Sequence, residues 1–577
     1  MINRLQILNS GTLVSRILLG CILTMWSACS KKDAPPPPEL IVSLDHLQFP
    51  ATGGAQKMYI KSNTSWAIQS TEPWASAEPA AGSGEGTLQI DVTVTENKTT
   101  VSRTAILTIS AGALKEQVKI EQDASAAIVI AGNSFTAPVE GRRIDLPVEA
   151  SGPYTVNIKA DWILEAEGST AENRAFIVLR NPAVAERKDT IRLVSATETK
   201  EVEIIQSGNS FTLPADKTGM SNDAMSLAGK IKIGWNLGNA LEATSVSNGQ
   251  YTAGETLWGN PRTSRALIDA VKAAGFNAVR IPCAWSGYIT DPVTFKIKDS
   301  WLLRVREVVD YCLANQMYAI INIHWDGGWL EENPTSDKQA EVNKKQKALW
   351  EQIAIAFRDY DERLLFAGTN EVHAGYGTPT QENITVQQSY NQTFVDAVRS
   401  TGGKNSWRSL VVQAYNTNIQ YAMSYLNLPE DATANRLMVE VHFYDPWDFA
   451  GDETSDKYLW GKDYAGNPHT STWGQEAWVD DAFGSMKTKF IDQNIPVILG
   501  EYAATFRSAL TGTALSDHIA ARNYYLNYVT KAAKANEMVP FYWDNGNTGN
   551  NGSGLFNRTT GTPAHTDAVN ALISGAE

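Results

Sequence analysis

The sequence predicts a multidomain chain: two all-β sandwich modules of immunoglobulin-like type, followed by an α/β domain built as a (β/α)8 barrel. Three observations carry that reading. The chain has 577 residues, too many for one ordinary domain. A pattern recurs at a spacing of 84 residues near the N-terminus. From about residue 223 the period changes, and apolar strand-like runs alternate with amphipathic helical stretches. Composition sets the outer limits. Hydrophobic residues at 43% and charged residues at 19% are ordinary for a globular chain and exclude disorder as the main state. Lys+Arg of 49 against Asp+Glu of 63 leaves a net charge of −14, which argues against a nucleic-acid partner, whose footprint is a basic patch. Thirteen of the 17 Trp follow residue 222, and a Trp-rich, acidic domain suits neutral, flat-faced substrates such as sugars.

Residues 1–28 read as a lipoprotein signal peptide. Arg4 and Arg16 precede an apolar run from Ile17 to Trp26, broken only by Gly20, Cys21 and Thr24. That run is too short to span a bilayer. Ser27-Ala28-Cys29 puts small residues before a Cys and Ser-Lys-Lys-Asp after it. This resembles a bacterial lipobox, and the resemblance implies acylation of Cys29. Leu18-Leu-Gly-Cys21 is the rival lipobox, but strongly apolar sequence follows it. Residues 29–39, with four prolines from Pro35 to Pro38, form a stiff, solvated tether. The charges just after Cys29 resemble a surface-export signal of some Gram-negative bacteria. An outer-membrane lipoprotein facing the cell exterior is therefore expected. Four Cys are too few for a disulfide framework and none has metal-ligand spacing; Cys283 and Cys312 are expected as buried free thiols.

Residues 40–125 and 126–208 repeat one another. Asn97 and Asn181, Arg103 and Arg187, and Gln122 and Gln206 are each 84 apart, while Trp66 with Tyr154 and Trp74 with Trp162 are 88 apart. Short β-branched runs between Gly, Ser, Asn and Pro predict a small β-sandwich in each unit. The strand-Ser-Asn-Thr-x-Trp opening, the Asn-x5-Arg turn and the closing Ile-x-Gln resemble the BACON module family. That family is associated with carbohydrate. The few aromatics here fall at strand positions, however, so the modules read as spacers rather than glycan platforms. Residues 209–222 are expected as the linker, and residues 223–577 as the barrel.

Eight strand-like runs follow: Ile231–Asn239, Phe276–Trp285, Tyr318–Gly327, Leu364–Val372, Leu410–Tyr415, Leu437–Tyr444, Ile495–Tyr502 and Val539–Trp543. Helical patterns fill most gaps; in one, Leu267, Ile268, Val271 and Ala274 share a face between Pro261 and Gly275. All-apolar strands alternating with amphipathic helices imply a parallel sheet, and eight such units imply a closed barrel.

In such barrels chemistry sits at the carboxyl ends of the strands. Those ends read Gly234-Trp-Asn-Leu-Gly-Asn239, Arg280-Ile-Pro282, His324-Trp-Asp326, Thr369-Asn370-Glu371, His442-Phe-Tyr444, Gly500-Glu501-Tyr502 and Tyr542-Trp543-Asp544. Two Glu at strand ends, three strands apart, predict hydrolysis of a glycosidic bond. One carboxylic acid protonates the leaving oxygen and the other carboxylate attacks the anomeric carbon. Arg280 and Tyr444 beside Glu501 would favour its ionised form, as a nucleophile requires. Asn370 is placed to bind a sugar 2-hydroxyl, and Trp543 and Trp235 to stack on a pyranose ring.

The motifs Gly-Trp-Asn-Leu-Gly-Asn, Glu255-Thr-x-Trp258-Gly-Asn-Pro261, Val-Arg-Ile-Pro, Asn322-Ile-His-x-Asp, Asn-Glu, Val-x-Val-His-x-Tyr and Gly-Glu-Tyr, in that order, resemble glycoside hydrolase family 5. The second motif is similar to the endo-β-1,4-glucanase and xyloglucanase subfamily 4. The resemblance implies a retaining double displacement with Glu371 as acid/base and Glu501 as nucleophile. It also implies a site completed by Arg280, His324, Asn370, His442, Tyr444 and Trp543, with Asn239 and Trp235 beside it. Two departures stand out: Trp325 where many members have a second His, and Asn370-Glu371-Val372-His373 where the family usually reads Asn-Glu-Pro. No cofactor is expected. No metal is expected either, since no second ligand pair accompanies His324-x-Asp326. The expected partner is a β-glucan, with xyloglucan favoured over mixed-linkage glucan or cellulose; a monomer is the default. A β-mannanase or xylanase of the same family, and a non-catalytic surface glycan-binding lipoprotein, remain as alternatives. The stretch Asp445–Gly484, with Trp447, Trp460, Trp473 and Trp478, reads equally as a capping mini-core or as a cleft wall.

Overall fold

The computed structural model describes residues 36–577, apart from 85, 100, 126–127, 196–197 and 248–249. The signal peptide, Cys21, Cys29 and most of the Pro-rich tether lie outside the described residues. Among those described, no helix is long and apolar enough to cross a membrane. The chain divides after residue 127 into two compact units.

The first unit is a β-sandwich. One sheet orders Leu40–Val42, Gly54–Ser62, Gly86–Val94 and Ala75–Glu78; the other orders His46–Phe49, Leu114–Gln122, Arg103–Ala111, Trp66–Ser70 and Ala81–Gly82. Strict alternation builds its core. Met58, Ile60, Ile90 and Val92 of one sheet and Leu107, Ile109, Val118 and Ile120 of the other are fully buried, as period-2 strands with one apolar face require. The shared motif residues form a polar clasp at one edge. Gln122 is buried, accepts from Arg103 Nε at 2.9 Å and donates toward the carbonyls of Pro50, Ala51 and Thr95. Arg103 also lies 4.3 Å over the Trp74 ring.

The second unit joins the second sandwich to the barrel. The sandwich pairs the sheet Ile128–Ile130, Arg142–Ala150, Asn173–Val178 and Ile163–Glu165 with the sheet Ser134–Ala137, Thr199–Gln206, Arg187–Val194 and Thr155–Asn157. Its clasp is the same: Arg187 Nε donates to Gln206 at 2.9 Å and the guanidinium lies 4.4 Å over Trp162. Here, however, Arg187 Nη1 also reaches Asp299 of the barrel at 2.8 Å, with both side chains about nine-tenths buried. Residues 209–222 run along the barrel. Arg358 donates to the side chain of Asn209 and to the carbonyls of Ser210 and Phe211.

The barrel closes from eight parallel strands: β1 (Gly234–Leu237), β2 (Ala278–Ile281), β3 (Tyr318–Asn322), β4 (Leu364–Ala367), β5 (Leu410–Gln413), β6 (Leu437–His442), β7 (Val497–Tyr502) and β8 (Val539–Asp544). Most are shorter than their apolar runs, because the last residues of each run turn outward into the loops that carry the site. The short helix Ala224–Ala228, capped by Asp223 on the Ser226 amide at 2.8 Å, closes the amino-terminal end. Its Leu227 and the following Ile231 pack on Ile320, Leu365, Val411, Met438, Ile498 and Phe541. Gly234 is glycine because the Phe541 ring fills the space a Cβ would need, 2.0 Å from it. The helix expected between Pro261 and Gly275 runs Arg265–Ala273, starting from the Ser264 cap, and Gly275 at φ +112° ends it. Cys283 and Cys312 are buried free thiols.

Candidate active site

Polar side chains replace apolar ones in the last inward layer at the carboxyl end of the barrel. Arg280, at the penultimate position of β2, is fully buried and fans across this layer. Its Nη1 donates to Glu501 Oε1 at 2.8 Å and to Asn236 Oδ1 at 3.0 Å, and its Nη2 donates to Asn370 Oδ1 at 2.9 Å. Its Nε lies 2.8 Å from Glu440 Oε1, too bent for a hydrogen bond. Burial works against this charge, but Glu440 and Glu501 outweigh it and raise the Arg280 pKa.

Glu501 ends up between donors. Besides Arg280 on Oε1, the Tyr444 phenol donates to Oε2 at 2.9 Å. Burial, with the neighbouring Glu371 charge, raises its pKa against the pull of His442, Arg280 and Tyr444; both oxygens already accept, so the carboxylate is the form these contacts hold. Burial and the charges of Glu501 and Glu371 push the Tyr444 phenol far up, keeping it a donor. Glu371 stands on the loop after β4, its side chain 30% exposed toward the cleft. An oxygen of Glu371, a nitrogen of His442 and an oxygen of Glu501 all lie within 4.8 Å of one another. His442 Nδ1 is 2.5 Å from Glu371 Oε1, and Thr417 Oγ1 donates to the same oxygen at 3.3 Å. Burial raises Glu371, but the His442 hydrogen bond and charge overcome it and bring its pKa below the usual value. His442 itself, although buried, is driven up to about 10 by Glu501, Glu371 and Glu440. The pair therefore holds one proton between two atoms in direct contact. This Glu371–His442–Glu501 group is the one cluster of metal-ligand type among the described residues; the Arg280 and His442 charges already supply the positive charge there.

The remaining expected residues divide. His324 is stacked at 5.7 Å and 8° on Trp543, and burial, helped by the Arg280 and His442 charges, holds it well below its usual pKa and neutral. Trp543 is partly exposed and lines the cavity together with Glu371, Tyr444, Trp447, Glu501 and Tyr376, a volume of about 730 Å³. Gly238 gives it room, since a Cβ there would fall 2.7 Å from the indole. Asn370 is oriented twice: its Oδ1 faces Arg280 and its Nδ2 donates to Glu331 Oε2 at 3.1 Å. Trp235 is not a stacking face. It is fully buried, donates to Asp544 Oδ2 at 3.0 Å and packs edge-on against Phe556. Alternation along β1 explains the correction: Asn236 pairs in register with inward-pointing Arg280, so Trp235 must face the helices. Asn239 adopts a left-handed turn (φ +58°) whose amide is held by the Glu242 carboxylate and whose carbonyl accepts from Asn260, so its backbone shapes the turn beside the site.

Three residues that the sequence reading passed over belong to the site. Asn236 supports Arg280 and donates to the Gly500 carbonyl at 2.8 Å. Glu440 has a sequence signal, a charge inside the apolar run of β6 on the face of His442. Glu331, on the loop after β3, has none; it is buried and accepts from Asn370 and, at 3.2 Å, from the Glu371 amide, and burial with the Glu371 charge pushes its pKa up to about 8. The Asp445–Gly484 stretch divides between buried and exposed indoles. Trp460 is fully buried among Tyr524, Tyr525 and Tyr528, whereas Trp447, Trp473 and Trp478 are exposed. Trp478, with Asp445, Met423 and His442, lines a second hollow of about 460 Å³.

The cellulase model of glycosyl hydrolase family 5 matches residues 241–549. The chain belongs to glycosyl hydrolase family 5. The BACON model matches residues 64–123 of the first sandwich. The xyloglucan-specific endo-β-1,4-glucanase BoGH5A of Bacteroides ovatus is 39% identical over 452 residues, covering 75% of this chain and 88% of that one. A solved Bacteroides ovatus family 5 xyloglucanase in complex with a XXXG heptasaccharide aligns over 94% of this chain and 100% of its own, with a TM-score of 0.61 and 35% identity. A subfamily 4 broad-specificity endoglucanase from Bacteroides salanitronis aligns over 62% of this chain and 96% of its own, with a TM-score of 0.57 and 38% identity. The relatives that this family 5 chain resembles are thus endo-β-1,4-glucanases and xyloglucanases.

Proposed function

We propose that the chain is a retaining endo-β-1,4-glucanase with xyloglucan as its favoured substrate, Glu371 as acid/base and Glu501 as nucleophile. The observation that carries the mechanism is the approach of the two carboxylates to within 4.8 Å. Retaining enzymes hold the two carboxyl groups about 5–5.5 Å apart and inverting ones roughly 6.5–9.5 Å to admit a water, and oxygens this near favour the first. Glu501, held as a carboxylate by Arg280 and Tyr444, attacks the anomeric carbon. The glycosidic C–O bond breaks with its electron pair on oxygen, which takes the proton held by Glu371 and His442. Glu371, now a bare carboxylate, removes a proton from water; the hydroxide adds to the anomeric carbon and Glu501 leaves. Asn370, its amide fixed by Arg280 and Glu331, points its second N–H at the sugar 2-hydroxyl, a contact that strengthens in the transition state. Trp543 and the exposed Trp447 offer stacking faces. Xyloglucan is favoured by what the relatives' names say they act on. Initial rates of the full chain on xyloglucan, mixed-linkage β-glucan, carboxymethylcellulose and mannan, with the anomeric form of fresh product read by NMR, test both halves. Fastest cleavage of mannan would overturn the substrate, and an inverted product the mechanism.

The sequence supports two further parts of this reading: anchoring through lipidated Cys29 at the outer face of the outer membrane, and modules that serve as spacers. In the first module Tyr59 is the sole aromatic left exposed among the described residues, so no stacking platform is built there. Cys29→Ala should move the protein from the membrane to the soluble fraction; unchanged membrane labelling would refute the anchor.

A further inference from the structure

We propose that Glu440 is a positioning residue for this reaction: by accepting from His442 Nε2 it fixes the imidazole so that the mobile proton sits at Nδ1, against Glu371. This rests on Glu371 being the acid/base. The argument starts from what Glu440 is able to be. It is fully buried on β6, facing the barrel interior. Its Oε2 accepts from Gln413 Nε2 at 2.6 Å. The Gln413 amide is not free to flip, because its Oε1 accepts both the amide and the hydroxyl of Thr369 at 3.0 Å. Glu440 Oε1 faces Arg280 Nε at 2.8 Å and His442 Nε2 at 3.2 Å. Gly500 leaves the space: a Cβ there would lie 2.1 Å from this same oxygen. The fixed Gln413 amide donates to one oxygen and the Arg280 guanidinium faces the other, so the ionised carboxylate is the form these two partners favour whatever the imidazole does. Burial alone would raise its pKa, yet the Arg280 charge and the His442 and Gln413 hydrogen bonds bring it down to about 2.

An ionised Glu440 at 3.2 Å cannot face a bare Nε2 lone pair, so Nε2 keeps its hydrogen. The other ring nitrogen then carries the only proton that comes and goes, and it lies 2.5 Å from Glu371 Oε1. The charged and titratable groups facing this pair come from every neighbouring strand: Arg280 on β2, His324 after β3, Glu331 on the loop beyond, Glu371 and His373 after β4, Tyr444 after β6 and Glu501 on β7. Carboxylates and the two cations alternate along the contacts Glu501–Arg280–Glu440–His442–Glu371. Glu440 is the central member, so its charge acts on both ends.

Glu440→Gln keeps the shape and removes the charge. With one anion fewer, the Glu371–His442 proton is lost at lower pH, and Glu501 next to a less neutralised Arg280 accepts a proton only at lower pH. Both limbs of the kcat/KM–pH profile on an aryl β-cellobioside should therefore move acidward by about 1 unit or more, and Glu440→Asp should bring them back. Unmoved limbs with a uniformly lowered rate would reduce Glu440 to packing and overturn the proposal. If the variant does not fold, imidazole ¹⁵N shifts of the wild-type chain decide, with His442 assigned by difference from His442→Gln: a permanently protonated Nε2 supports the proposal, and a bare Nε2 overturns it. Azide rescue of Glu371→Ala tests the acid/base role separately, so failure of one is distinguishable from failure of the other.

Discussion

The two ends of the barrel are built from opposite materials. At the amino-terminal end Leu227 and Ile231 sit among aliphatic side chains and Phe541, and the layer is apolar. At the carboxyl end Arg280, Glu440, His442 and Glu501 are packed just as deeply but are all ionisable. Burying such charges costs free energy unless each is paired. Here each carboxylate touches a cation, Arg280 pairs with two carboxylates and His442 with three. The apolar end supplies stability that the charged end spends on chemistry, so substitutions at the two ends should separate cleanly into effects on stability and effects on rate.

The largest effect belongs to the charged end. Glu501→Ala removes the group that forms the covalent intermediate, and kcat on xyloglucan should fall by on the order of 10⁴-fold or more. Oligosaccharide binding should survive in isothermal titration, since Trp543 and Asn370 remain. Glu371→Ala should cost about 10²- to 10⁴-fold, the usual worth of a general acid. The loss should be smaller on substrates whose leaving group needs no proton, and added azide should restore part of it as the β-azide product. Azide rescue of Glu501→Ala instead, with an α-azide product, is expected from the opposite face. The reverse pattern, α-azide from Glu371→Ala and β-azide from Glu501→Ala, would exchange the two roles, and rescue of neither would dissolve them.

The mirror experiment is at the other end. Leu227 is fully buried, and Leu227→Ala should lower stability by roughly 2–5 kcal/mol, as large-to-small changes in closed cores do, read as a shifted denaturation midpoint. The kcat per folded molecule should not change. A rate loss without a stability loss would mean that the two ends are mechanically coupled and that the separation along the barrel axis is false.

The same contrast explains what the sequence made legible. Residues whose role follows from a strand end, such as Glu371, Glu501, His442, Tyr444 and Trp543, could be placed because a parallel barrel gathers all its carboxyl ends at one mouth. The repeated Arg–Gln clasp could be read because two copies carry it. What failed was resolution of one residue along a strand: Trp235 stands beside Asn236 in the motif, yet period-2 alternation sends one to the helices and the other to the site. Glu331 was invisible because its partners, Asn370 and the Glu371 amide, come from the next strand's loop, and no local spacing records that meeting. The clasp hid one fact as well. Arg103 and Arg187 occupy equivalent positions, but only the tertiary structure shows that Arg187 also pairs with Asp299.

The smallest expected effect lies on the rim of the charged end, and it tests whether exposure there is functional. Trp447 is 55% exposed, yet it is not loose. Its ring covers Gly451, where a Cβ would come within 2.2 Å of it, and it meets Tyr444 edge-on at 6.2 Å. Trp460, thirteen residues on, is fully buried with its indole N–H on the Gly474 carbonyl at 2.8 Å. An indole held in one orientation but left open on a face toward the cleft suits stacking on a sugar ring, worth about 0.5–1.5 kcal/mol. Trp447→Ala should therefore raise KM for xyloglucan about 2- to 10-fold, with kcat on a short aryl glycoside and the denaturation midpoint unchanged. Trp460→Ala should show the reverse, a lowered midpoint by the loss of a buried aromatic. If Trp447→Ala instead lowers the midpoint and leaves KM alone, the rim indole is part of the loop's packing, and the functional end of the barrel stops at the strand termini.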